Sequence, residues 1–133
     1  MMKRASGPFD VKVTPVAQES GAWGEWMARL TLDKQFHGDV EATSQGQMLA
    51  SPPGAEGSGG YVALERVSGK LHGREGTFVL QHSGTMDRGA QSLTITVVPG
   101  TGTGQLKGLA GSMNIIIDGE GRHAYAFEYT LPE

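Results

Sequence analysis

The chain contains no cysteine. Without a thiol it can form no disulfide, hold no cysteine-ligated iron–sulfur cluster and use no thiolate nucleophile. This absence is typical of proteins from a reducing compartment. Any chemistry must therefore come from carboxylate, imidazole, amine or hydroxyl groups.

Long apolar runs are also missing. A membrane-spanning helix needs roughly 18 or more consecutive apolar residues, and the sequence has no such run. The first residues include Lys3 and Arg4, but the apolar segment of a signal peptide does not follow them. We therefore expect a cytoplasmic protein that makes no membrane contact.

Positive charge is scarce, since the formal net charge is −3 and no basic block occurs. Nucleic acid is consequently not an expected partner. The four histidines show none of the close spacings of metal motifs. By alternation His37, Asp39 and Glu41 would share one strand face, but that face is predicted to be solvated and lacks further converging ligands. We expect neither a metal nor another cofactor.

Helical spacing is nearly absent, whereas apolar and polar residues alternate repeatedly with period two. Glycine is abundant, at 21 of 133 residues, which suits turns between short strands better than helices. The alternation predicts eight strands, with loops at 15–24, 51–60 and 99–104. The strand candidates are 9–14, 26–36, 39–50, 60–71, 77–86, 91–98, 112–118 and 123–131. Eight antiparallel strands of this length predict a closed all-β barrel spanning 1–133 as a single domain.

One alternating segment contains an exception. In 26–36 the apolar positions are Trp26, Ala28, Leu30, Leu32 and Phe36, and Lys34 falls on the same side. The interior that these patterns predict includes glycine and alanine residues, whose small side chains leave space in it. A barrel of eight strands has room for packed side chains or for one small ligand.

Residues 99–112, PGTGTGQLKGLAGS, look like a phosphate-binding loop because five glycines lie close together. However, neither the dinucleotide-binding nor the P-loop pattern is present, and no long helix follows. The segment also repeats: SGKLHGREGTF at 68–78 and TGQLKGLAGSM at 103–113 share one pattern. We therefore predict two strand-connecting corners, in which glycines allow positive φ and close backbone approach. Leu71 with Phe78, and Leu106 with Met113, would plug the barrel ends.

Three runs carry a family resemblance: YVALERVSGKLHGREGTFVLQHSGTM at 61–86, TVVPGTGTGQLKGLAGS at 96–112 and HAYAFEYTL at 123–131. They resemble an uncharacterised bacterial family of small proteins catalogued as a domain of unknown function, over nearly the whole chain. The barrel of that family is in turn similar to that of plant allene oxide cyclase. The resemblance implies an eight-stranded barrel of the allene-oxide-cyclase type with no settled activity. No catalytic residue of the cyclase can be matched here.

The segments 61–71 and 76–86 predict a hairpin, for which we place a two-residue turn at Gly73-Arg74. Glu65 would then lie directly opposite His82, with Val67 opposite Leu80, on a face that also carries aromatic residues and lacks basic ones. Opposite Cβ atoms lie about 5 Å apart, so a carboxylate–imidazole hydrogen bond is feasible. Such a pair could move protons, or it could simply fix the strand register.

The residues predicted to line the lumen and contact a ligand are Glu65, His82, Tyr61, Tyr125 and Phe78. Tyr125 belongs to an aromatic stripe on the last strand. We expect this stripe to be part of the core, and only secondarily part of a ligand-cavity wall. Three hypotheses remain open. The first is a barrel that binds a small apolar or amphipathic molecule. The second is a cyclase or isomerase that uses the Glu–His pair, and the third is a structural barrel with a filled lumen that forms a homo-oligomer.

Overall fold

The computed structural model describes residues 2–16, 26–51 and 57–132. Within these ranges eight antiparallel strands close into one barrel, in which each strand pairs with the next along the chain and β8 pairs with β1. The strands are β1 (Lys3–Pro15), β2 (Ala28–Phe36), β3 (Val40–Ser51), β4 (Gly59–Leu71), β5 (Arg74–Asp87), β6 (Ala90–Val97), β7 (Ala110–Ile117) and β8 (His123–Thr130). The predicted closed eight-stranded antiparallel barrel is confirmed.

The element boundaries differ from the predicted ones mainly in the first strand. β1 begins at Lys3, because its first residues pair with β8 from Lys3 with Tyr129 to Phe9 with His123. Of the loops predicted at 15–24 and 51–60, residues 17–24 and 52–56 lie outside the described residues, while Pro15, Ser51, Gly59 and Gly60 belong to strands. In the described part of the chain, no helix has the length and apolar character needed to cross a bilayer.

The turn between β4 and β5 consists of His72 and Gly73, with φ of 46° and 79°. Positive φ at both central residues is the mark of a type I′ turn, whose twist suits a hairpin and which favours glycine at its second position. The prediction of a turn at Gly73-Arg74 was therefore wrong. Arg74 is instead the first residue of β5 and pairs with Leu71.

The register of this hairpin consequently differs from the predicted one by two residues. Glu65 pairs with Leu80 and Val67 pairs with Phe78, so Glu65 is not directly opposite His82. Because side chains alternate with period two, a shift of two residues leaves every side chain on the predicted face. Glu65, Phe78 and His82 are all buried in the barrel interior.

The segment between β6 and β7 covers one end of the barrel, which we call the closed end. The Thr103 backbone N–H donates to the Thr77 carbonyl at 2.9 Å, which ties this segment to β5. A 3₁₀ helix follows at Gly104–Leu106. Its Leu106, together with Leu109, is buried in the core and fills the end of the barrel.

The glycine-rich repeat has the predicted structural role. Gly73 and its equivalent Gly108 have φ of 79° and 84°, in the left-handed region that favours glycine. A Cβ added at Gly76 or at its equivalent Gly111 would lie 2.1 or 2.3 Å from a carbonyl oxygen of a neighbouring segment. The apolar residues of the repeat are buried in the core: Leu71, Phe78, Leu106 and Met113.

The seam between β6 and β7 is the weakest of the barrel. Among the described residues its pairing is a single bridge, between Thr96 and Ser112. On both strands the residues away from this bridge expose apolar side chains, including Leu93 at 39% and Ile117 at 58%. The barrel is therefore tightly closed at the end filled by Leu106 and loosely joined toward the other end, which we call the open end.

Candidate functional site

Four polar side chains form a buried layer across the middle of the barrel. They come from four consecutive strands and are the inward-facing Lys34 (β2), Ser44 (β3), Glu65 (β4) and His82 (β5). Each is held inward because the alternation of its strand places apolar neighbours two residues away on the same face. The layer separates the packed closed-end core from the open end.

Glu65 is the centre of this polar layer. Its Oε1 accepts hydrogen bonds from Lys34 Nζ at 2.9 Å and from His82 Nε2 at 2.6 Å. Its Oε2 accepts from the Ser44 hydroxyl at 2.5 Å. In the described residues no buried side-chain nitrogen or oxygen lacks a hydrogen-bond partner, so hydrogen bonds offset part of the cost of burying this carboxylate.

The partners of His82 define its tautomer. Its Nε2 faces the Glu65 carboxylate, which can only accept, so Nε2 carries the proton. In the neutral ring Nδ1 then accepts from the Tyr61 hydroxyl, at 3.3 Å. A chain of hydrogen bonds thus runs from Tyr61 through His82 to Glu65.

The ammonium group of Lys34 is held between the carboxylate and two aromatic rings. Its Nζ lies 5.2 Å from the centroid of Phe9 and 5.8 Å from that of Phe36. Both distances fit cation–π contacts, which stabilise a desolvated cation. These contacts allow a charged lysine to stay in a position that the strand pattern otherwise gives to apolar residues.

The electrostatics of the layer keep Glu65 ionised. Burial alone would raise the pKa of Glu65, but the hydrogen bond from His82, the charge and hydrogen bond of Lys34 and the hydrogen bond from Ser44 together lower it to about 2. Burial raises the pKa of Tyr61, and the negative charge of Glu65 raises it further. Near neutral pH the carboxylate of the layer is therefore ionised and the Tyr61 phenol next to the layer is protonated.

Toward the open end, a cavity of about 660 Å³ lies above the polar layer. Lys34, His82 and Tyr61 contribute polar groups to its wall. Most of the remaining wall is apolar or glycine, from β1 to β7. Further polar side chains of the wall are Ser51, Ser58, Thr85, Gln91, Ser92 and His123. The larger apolar residues are Phe9, Val11, Leu32, Met48, Met86, Leu93, Ile115 and Ile117. Residues from both sides of the β6–β7 seam line the cavity.

The structure brings together three of the five predicted lumen residues. Tyr61 and His82 line the cavity, and Glu65 contacts His82 from the layer beneath it. Glu65 and His82 meet as diagonal neighbours rather than as the directly opposite pair that was predicted.

Phe78 and Tyr125 lie elsewhere, in the packed core. The Tyr125 hydroxyl donates to the His37 carbonyl at 2.6 Å and accepts from the Val40 N–H at 2.8 Å. It therefore holds the turn between β2 and β3 and does not face the cavity. Phe78 stacks on Phe127, with ring centroids 6.0 Å apart. We leave both out of the candidate site.

Two members of the polar layer were missed by sequence reasoning. Lys34 gave a signal, because it is the charged exception among the apolar positions of β2. Ser44 gave almost none, since a small hydroxyl between Ala42 and Gly46 is unremarkable on an inward face. The charge of Lys34 on that face could have indicated a buried acidic partner.

The alternation had suggested that His37, Asp39 and Glu41 share one strand face, and the structure shows that they do not. His37 and Asp39 lie in the connection between β2 and β3, and only Glu41 belongs to β3. His37 Nε2 lies 3.2 Å from Asp10 Oδ2 on β1. No group of three or more potential ligands that could hold a metal ion occurs in the described ranges.

Comparison with known proteins places the chain among proteins without an assigned activity. The sequence model of a family described as "Protein of unknown function (DUF3224)" matches residues 5–129. The crystal structure of a DUF3224 protein of unknown function from Shewanella oneidensis MR-1 is similar, with a TM-score of 0.91 and 46% sequence identity. The similarity covers 100% of this chain and 99% of that one. No curated protein matches the sequence.

Proposed function

Since the chain belongs to the DUF3224 family, whose description assigns no function, we propose from its own cavity that it binds a small, largely apolar molecule. The observation that carries the proposal is the space of about 660 Å³ between apolar walls and a polar layer. Ligand-binding cavities typically measure about 300–1,000 Å³ and combine apolar walls with a few placed polar groups.

The distribution of polar groups supports an amphipathic ligand. The apolar body would lie against residues such as Leu32, Met48 and Ile115, where it gains free energy by leaving water. Its polar end would lie at the base of the cavity, near Lys34 and Tyr61. A structural barrel with a filled lumen is disfavoured, because the side chains of the described ranges leave this volume empty.

The proposal is tested by a search for a bound molecule and by filling the cavity. Native mass spectrometry of freshly purified protein should show a co-purified small molecule. The uncharged fluorescent probe N-phenyl-1-naphthylamine should bind the emptied protein. Ala50→Trp, which places an indole in the cavity, should weaken binding of the probe.

Leu49→Trp is the matched control, because the adjacent Leu49 is 39% exposed on the outer face. The control variant should bind the probe as the unaltered protein does. Equal affinities in both tryptophan variants would show that the probe binds outside the cavity, and the proposal would fail.

A cyclase or isomerase is the second candidate, in line with the resemblance of the sequence to a family whose barrel is similar to that of allene oxide cyclase. The observation that favours it is the hydrogen-bond chain from Tyr61 through His82 to Glu65, which ends at the cavity. Such a chain could shift protons on a confined ligand. A pH-dependent conversion of the co-purified molecule that Glu65→Gln abolishes would support this candidate over simple binding.

A further inference from the structure

We infer that the ligand of this cavity carries an uncharged, oxygen-bearing head group, a hydroxyl or a ketone carbonyl, that binds at Lys34 and Tyr61. The inference rests on the proposed binding function and deepens it by naming the class of ligand. It follows from the charge balance of the polar layer and from the hydrogen-bonding groups left facing the cavity.

The charges at the base of the cavity already cancel. Among the residues described as lining it, Lys34 is the one with a permanently charged side chain, and its ammonium lies 2.9 Å from the Glu65 carboxylate. The side chains of this pair are 5% and 0% exposed, so water screens them little. In the tautomer that donates from Nε2 to Glu65 and accepts at Nδ1 from Tyr61, the His82 ring adds no charge of its own.

A charged head group would upset this balance. A carboxylate would add a net negative charge next to Glu65, and an amine would add a net positive charge next to Lys34. Either charge would lose its hydration, and the ammonium and carboxylate at the base are already paired with each other, so its burial in an apolar interior would be costly. An uncharged head group adds no such cost.

The hydrogen-bonding groups that remain fit a hydroxyl or a ketone. Lys34 has three N–H donors, of which one binds Glu65, so donors remain for an oxygen of the ligand. In that tautomer the Tyr61 hydroxyl donates its hydrogen bond to His82 Nδ1, which leaves the lone pairs of its oxygen as acceptors. An alcohol can accept from Lys34 and donate to Tyr61, whereas a ketone can only accept from Lys34.

The test compares head groups on chains of similar length. 1-Decanol, 2-undecanone, decanoate and decylamine each compete with N-phenyl-1-naphthylamine at about pH 8, where the acid is ionised and the amine protonated. Each inhibition constant is corrected for the compound's water–octanol partition coefficient. The correction removes differences in affinity that come from overall hydrophobicity alone. We expect the alcohol and the ketone to bind at least about fivefold more tightly than both charged compounds.

Tyr61→Phe separates the two uncharged compounds. It removes the acceptor oxygen, so decanol should lose about fivefold in affinity while undecanone is unchanged. The double variant Lys34→Met/Glu65→Leu, which removes the charged pair together, should weaken both. Because the double substitution leaves no unpaired charge, its fold is expected to persist and can be checked by circular dichroism.

Two outcomes would overturn the inference, and they are distinguishable from failure of the proposed function. Tightest corrected binding by decanoate or by decylamine would mean that the layer recognises a charged ligand, while binding itself stands. Equal effects of Tyr61→Phe on alcohol and ketone would remove Tyr61 from the head-group site. Absence of binding by every compound and by the probe would refute the binding function itself.

Discussion

His82 Nε2 lies 2.6 Å from Glu65 Oε1, although the two residues are diagonal and not opposite neighbours on β4 and β5. Glu65 is directly paired with Leu80, and His82 with Ala63. The diagonal contact leaves the second carboxylate oxygen free for Ser44 on β3. One carboxylate therefore binds side chains of three other strands, and a slip of any of them would leave it unpaired in the interior.

The buried ion pair predicts an asymmetry between single and double substitutions. Lys34→Met leaves the Glu65 carboxylate without its cation and should cost about 3–5 kcal/mol of unfolding free energy. Lys34→Met combined with Glu65→Leu removes both charges and should recover part of that loss, although His82 and Ser44 then lose their acceptor. Urea denaturation followed by circular dichroism measures the differences.

Lys107→Met is the matched control for this measurement, because Lys107 is exposed next to the 3₁₀ helix. It should change the unfolding free energy by no more than about 0.5 kcal/mol. If Lys34→Met cost as little as Lys107→Met, the pair would contribute nothing to the stability of the barrel.

Stability should depend on pH through Glu65. Its folded-state pKa of about 2 lies below the ordinary 4.5, so the unfolded chain takes up the proton first as the pH falls. The stabilisation is therefore complete above about pH 4.5 and is lost as the pH falls toward 2. The lowering corresponds to roughly 3 kcal/mol over that window.

Thermal or urea unfolding between pH 6 and 2.5 checks this dependence. Glu65→Gln should have a shallower slope below about pH 4.5, because its amide does not titrate. Identical slopes in the two proteins would show that other carboxyl groups control acid unfolding.

The sequence was sufficient for the fold because strand alternation is a local property. Period-two patterns reported which side chains point inward, and that assignment survived a register error of two residues in the β4–β5 hairpin. The register itself depends on whether the turn occupies His72-Gly73 or Gly73-Arg74, and both pairs contain the glycine that such turns need.

The candidate site was accessible only in part, because contacts between distant strands are not encoded locally. Glu65 and His82 were found since both lie on one hairpin. Lys34 lies 31 residues before Glu65 along the chain, and the two meet across β3, which pairs with both of their strands. The segment that carries Leu106 fills the closed end, and this decides which aromatic residues are packed in the core and which line the cavity. Strand alternation does not predict where this segment docks.

Substitution by alanine should lower the unfolding free energy by different amounts at the two glycines Gly73 and Gly76 of the repeat segment 68–78. At Gly73 an added Cβ meets no atom within 4 Å, so Gly73→Ala carries only the strain of φ 79°, about 1–2 kcal/mol. At Gly76 the Cβ would lie 2.1 Å from the Thr103 carbonyl oxygen, so the covering segment must move. Urea denaturation should show a larger loss for Gly76→Ala, and equal losses would mean that this segment is not held against β5.

The weak β6–β7 seam should be visible in amide hydrogen exchange. Beyond the Thr96–Ser112 bridge, the amides of β6 and β7 that point across the seam have no ladder partner in the described structure. Every second amide over 90–95 and 113–117 should therefore exchange rapidly, while the alternate amides stay protected by β5 and β8. The seam between β1 and β8, paired from Lys3 to Phe9, serves as the internal control.

Because Leu93 and Ile117 line the cavity on either side of the weak seam, a ligand that bridges them should slow exchange there and leave the β1–β8 seam unchanged. Uniform protection along β6 in the ligand-free protein would contradict the weak seam. It would mean that the barrel is as firmly closed at the open end as at the closed end.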